Sequence, residues 1–76
     1  MTSTTTPVAE QTPIQLTETT RVYDFGDRQV RLDDVRELII RDSGTHRVRT
    51  GDGQLHVISP GWLAIHIDDG GKDWTI

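Results

Sequence analysis

The chain has 76 residues, 12 acids against 8 bases, a net charge of −4 and no cysteine. One small domain is the ceiling at this length, and disulfides and thiolate zinc sites are excluded. No apolar run approaches the ~20 residues of a membrane helix, and the acidic total repels a nucleic-acid backbone at long range.

Residues 1–19 read as a disordered tail. Eight threonines and two prolines fill positions 1–20, and Val8, Ile14 and Leu16 are the only large apolar anchors. Such a stretch buries too little surface to offset its conformational entropy. Met1 to Thr6 has neither a basic nor an apolar signal region, so a cytoplasmic location is expected. Glu10 and Glu18 are the only charges before Arg21, which leaves ten acids and eight bases for the remainder.

From residue 20 to 76 turn signals recur every eight to ten residues, the spacing of a small all-β domain. The first hairpin joins 21–25 to 28–32 through Gly26-Asp27. A two-residue turn there sets Tyr23 opposite Val30 and Arg21 opposite Leu32, and Tyr23, Phe25, Val30 and Leu32 share a face. Leu32, Val35, Leu38 and Ile39 then fall at helical spacing, with Asp33 placed to cap. This predicts one helical turn at 33–36 before a strand at 37–41. Strands are expected at 46–50, 54–59, 62–68 and 73–76, divided by Gly51-Asp52-Gly53, Pro60-Gly61 and Asp69-Gly70-Gly71.

The expected architecture is an antiparallel meander of five to six strands closing as a barrel or sandwich. With Asp52-Gly53 as a two-residue turn, Val48 faces Val57 and Thr50 faces Leu55. A one-residue bulge near Pro60 pairs Val57 with Ile65 and His56 with His66. The expected core face is Ile39, Val48, Leu55, Val57, Leu63, Ile65 and Ile67. The other face carries Leu38, Ile40, Arg47, Arg49, His56, Ile58, Trp62, Ala64 and His66. It is too apolar to be plainly solvated, so the first hairpin with Trp74, or a partner, must cover it.

Few patterns carry chemistry. His46, His56 and His66 are evenly spaced, but His46 falls on the other face, which leaves two ligands without a third. Asp33-Asp34 and Asp68-Asp69 alternate across a strand and flank turns, so neither pair shares a proton. The run from Asp68 to Asp73 lacks the alternating oxygen ligands of a calcium loop. Gly51-Asp52-Gly53 has no following helix to hold a phosphate, and nothing activates Ser43 or Ser59.

The group that stands out as a binding surface is Arg47, Arg49, His56, Trp62 and His66. Arginines beside an aromatic serve protein interfaces, and also sheet surfaces that hold single-stranded nucleic acid. The bland alternative buries Trp62 and pairs the arginines with Glu37, Asp24 or Asp27. The expected function is a non-enzymatic protein-interaction module, with homodimerisation as one form. A single-stranded nucleic-acid binder is the alternative, and a metal-dependent hydrolase using His56 and His66 ranks lowest. No cofactor is expected.

The stretch Ser43-Gly44-Thr45-His46-Arg47, with Asp52-Gly53 and Pro60-Gly61-Trp62-Leu63, resembles small uncharacterised proteins of actinobacteria and their phages. The resemblance spans at most residues 35–68. It implies a bacterial or phage origin, in keeping with a bias to Arg among the bases (seven of eight) and Asp among the acids (nine of twelve), and no activity.

Overall fold

A computed structural model describes residues 12–76. They form six strands: β1 (Ile14–Asp24), β2 (Gln29–Ile40), β3 (His46–Thr50), β4 (Leu55–Ile58), β5 (Ala64–Asp68) and β6 (Asp73–Thr75). All pairs are antiparallel, in one sheet of order β4-β3-β2-β1-β5-β6.

The first hairpin has the expected register, with Tyr23 opposite Val30 and Arg21 opposite Leu32. Phe25 N–H donates to Arg28 O at 2.9 Å and closes the two-residue turn, where Gly26 takes a φ of 94°. The expected tail is corrected in part. Residues 14–19 are strand, because β1 starts at Ile14 rather than Arg21 and pairs with the far end of β2. Residues 1–11 lie outside the described residues.

The helical turn at 33–36 is also corrected: β2 is a single strand of 12 residues. Its buried positions are Leu32, Val35 and Leu38, three apart, which imitates helical spacing. Two irregularities cause this. Asp34 sits at φ 56°, and the β2–β3 register shifts by one between Val35 and Glu37. The register shift inserts a residue into the two-residue alternation, while the positive φ at Asp34 turns the backbone with the β1–β2 register unbroken there. A matching shift lies in β1, between Gln15 and Glu18.

The bends fold the sheet over on itself. Tyr23 lies beside Val30 on β2 and His46 beside Ile40. Ten residues of straight strand span about 33 Å, yet the Tyr23 hydroxyl and His46 Nδ1 are 2.7 Å apart. The core sits in the fold: Tyr23, Leu32, Val35, Leu38, Val48, Ile58, Ile65 and Ile67, with Leu16, Phe25, Val30 and Trp62 packed at its margin.

Two expectations about the later strands fail. The β3–β4 loop has three residues. Gly53 N–H donates to Thr50 O, Thr50 N–H to Gln54 O, and Gly53 adopts φ 88°, the αL position such a loop requires. The register therefore sets Val48 opposite His56 and Arg47 opposite Val57. One residue of slip exchanges the faces of β4: Ile58 is buried, while Leu55 and Val57 are exposed. Ile39 and Leu63, also placed in the core, are half-buried and exposed.

The second failure is topological. β5 does not pair with β4; residues 59–63 cross the mouth of the folded sheet and deliver β5 to β1. Gly61, at φ 129°, lets this connection run past the Phe25 ring, and Leu63 N–H donates to Asp24 O at 2.7 Å. With β4 and β6 as unjoined edges, the sheet does not close into a barrel.

Candidate functional site

The five residues expected to form a binding face are dispersed. Arg47 and Arg49 stand on the outer face of β3, across from Val57 and Leu55. Arg49 Nε lies 3.4 Å from Glu37 and its Nη1 donates to Gly53 O at 3.1 Å. His56 is on the inner face, 3.2 Å from the Thr50 hydroxyl. His66, on β5, is opposite Val22 and Thr75, with Nε2 3.8 Å from Asp24. β4 and β5 are not neighbours, so His56 and His66 do not face one another. Trp62 turns inward, edge-on to Tyr23 at 5.0 Å and to Phe25 at 6.5 Å. No arginine-and-aromatic platform forms from these five.

A different group converges inside the fold. β1 contributes Glu18, Arg21 and Tyr23, exposed by 7, 4 and 0%. Glu18 and Arg21 are both buried although three residues separate them, opposite the stretch of β2 in which Asp34 takes its positive φ. Arg21 Nε reaches Glu18 Oε1 at 2.8 Å and Nη2 reaches Oε2 at 3.0 Å, a forked pair. Its Nη1 donates to the Tyr23 hydroxyl at 3.2 Å, and that hydroxyl meets His46 Nδ1 at 2.7 Å. Trp62 closes the set, with its ring 4.6 Å from His46.

The bond directions follow from chemistry. Arginine only donates, so the Tyr23 oxygen accepts from Arg21 and its proton is left to donate to His46 Nδ1. That assigns His46 the neutral form protonated at Nε2. Burial holds the His46 pKa below its ordinary value, and the Arg21 charge pushes the same way. Burial opposes the Arg21 charge, but the bonds to Glu18 and Tyr23 outweigh it and raise its pKa. Burial raises that of Tyr23, against the pull of Arg21. The tyrosine therefore stays a neutral donor.

Chemically this is a closed network. All three Arg21 nitrogens are used, and the buried ions cancel. No group of three or more potential metal ligands gathers among the described residues, nor is any helix there long and apolar enough to cross a membrane. The sequence did contain a signal for the network. Arg21 shares a face with Tyr23 and the apolar Leu32, and an inward arginine demands a carboxylate. That carboxylate, Glu18, falls in the stretch whose composition reads as tail.

A second feature is an apolar flank. β6 pairs Trp74 with Ile67 and its end lies against Ile65, so Trp74 and Ile76 continue the core face outward. Trp74 and Ile76 are 53 and 72% exposed.

Comparison with protein-family models, with curated proteins and with solved structures finds no match to this chain.

Proposed function

We propose that the chain is a non-enzymatic protein-interaction module that binds a second copy of itself through the β5–β6 flank. The observation that carries this reading is the exposure of Trp74 and Ile76 together on a continuation of the core face. A tryptophan beside a large aliphatic side chain is the composition of an interface centre.

The edge of β6 suits a two-fold partner. Ile65 and Ile76 exchange both backbone bonds, at 3.1 and 2.9 Å. By the antiparallel alternation, the backbone groups of Asp73 and Thr75 then point away from β5. Antiparallel pairing of two β6 edges about Trp74 sets Asp73 of one copy against Thr75 of the other. No like charges oppose, and the two tryptophans meet at the axis.

Sedimentation velocity over a wide concentration range tests this. Concentration-dependent dimerisation is expected, with Trp74→Ala weakening it at least about tenfold. The variant should keep its unfolding midpoint, since Trp74 is half-exposed at an edge. A chain that remains monomeric at millimolar concentration, or a Trp74→Ala variant that dimerises as well as the parent, overturns the proposal.

A further inference from the structure

The network in the fold connects elements that the chain otherwise leaves apart. Glu18, Arg21 and Tyr23 belong to β1, His46 opens β3, and Trp62 lies in the connection that crosses the mouth of the sheet. The Tyr23–His46 bond is the hydrogen bond by which this network joins the two halves of the folded sheet. Trp62 packs on both of its rings.

We propose that His46 is an acid-operated latch: neutral, it accepts the Tyr23 proton and holds the two halves together under Trp62; protonated, it releases Tyr23 and frees the connection at 59–63. The opening is independent of self-association through β6.

The reason is a count of donors. A proton on Nδ1 sets His46 and Tyr23 donor against donor. If the hydroxyl turns round, its oxygen accepts from both Arg21 and His46, and its own hydrogen loses its acceptor. Leaving a buried donor unpaired is costly. Charge acts in the same direction. Glu18 neutralises Arg21 through both carboxylate oxygens, so a second cation finds no free carboxylate in the network.

The charge that acts on His46 is that of Arg21. β1 presents Tyr23 and Arg21, with Glu18 behind the arginine, and the connection presents Trp62. In register, β2 and β4 offer Ile40 and Ile58. On β3 itself Arg47 alternates to the outer face, and the turn before the strand carries Arg41 and Asp42.

The sign is fixed by linkage. The folded chain holds His46 below its ordinary value, so the unfolded chain binds the proton first as pH falls. The contribution of the latch is complete above about 6.5, the unfolded value of histidine, and is lost as pH falls through the folded value. Each unit of depression shifts the unfolding equilibrium about tenfold.

The test is an NMR titration of the intact chain from about pH 8 to about pH 4.5, following the three histidine rings and the Trp62 indole N–H. His46 is expected to titrate below the ordinary value of histidine, and the Trp62 signal to shift or broaden with the His46 midpoint. In His46→Gln, whose side-chain oxygen accepts from Tyr23 without titrating, the Trp62 response should disappear. Three results overturn the latch: a Trp62 signal indifferent to His46 protonation, a His46 midpoint at or above the ordinary value of about 6.5, or an acid response of Trp62 that survives in His46→Gln. Should that variant fail to fold, the titration of the unaltered chain decides alone.

Discussion

At the scale of single residues, stability rests on a charge that ordinarily stays outside. Arg21 is tolerated in the core because Glu18 meets its fork with two oxygens and Tyr23 takes its remaining nitrogen. Removing one partner leaves a buried ion uncompensated. Glu18→Gln is therefore expected to cost about 3–5 kcal/mol in urea unfolding, a large share of what so small a domain possesses. Tyr23→Phe keeps the ring packing and deletes one hydroxyl, leaving the Arg21 Nη1 donor and the His46 acceptor unpaired. Its expected cost is smaller, about 1–3 kcal/mol. The difference between the two separates charge compensation from hydrogen bonding. By contrast Asp52, whose carboxylate takes the Thr50 hydroxyl and the Gln54 N–H and so titrates below its ordinary value, is an exposed turn residue with only a local role.

At the scale of elements, the bend in β2 decides the fold. Asp34 holds a positive φ there, and its carbonyl accepts from Gly51 N–H at 2.8 Å. The approach is so close that a Cβ on Gly51 would overlap the Asp34 carboxylate. Gly51→Ala must therefore displace that carboxylate from its 2.7 Å contact with Arg36. The pair is exposed and contributes little, so most of the cost comes from the bend; about 1 kcal/mol is expected from thermal or urea unfolding. Asp34→Val places a β-branched residue at positive φ and should cost about 1–2 kcal/mol. If both variants match the parent, the bend does not depend on this contact. Much of the sheet was legible at this scale. The first hairpin followed from Gly26-Asp27, because a two-residue turn dictates its register. The Gly51-Asp52-Gly53 turn was also visible, but its loop length was not. A glycine at either end allows a two- or a three-residue loop, and that choice alone exchanges Leu55 and Val57 with His56 and Ile58.

At the scale of the whole molecule, β1 is shared by both halves of the fold, so its first half is structural. Removing residues 1–19 deletes the part of β1 that borders β2 along Gln15 to Glu18 and takes away the partner of Arg21. The truncated chain is expected to lose cooperative unfolding, measured by circular dichroism; a preserved midpoint would show that residues 20–76 suffice. What the sequence determined by itself was local: strands where alternating apolar residues meet glycine-rich turns, the register of the tightest hairpin, and an all-antiparallel sheet. Those features depend on neighbours a few residues apart. Only the tertiary structure decided that Leu32, Val35 and Leu38 mark a bent strand rather than a helical turn, since both give a spacing of three. It also decided that residues 59–63 carry β5 across to β1, and so which apolar residues are left outside. The expected face of Arg47, Arg49, His56, Trp62 and His66 dissolved through that crossing and the one-residue slip of β4. The network of Glu18, Arg21, Tyr23 and His46 joins positions 28 residues apart (Glu18 to His46) through bends that no local pattern announces.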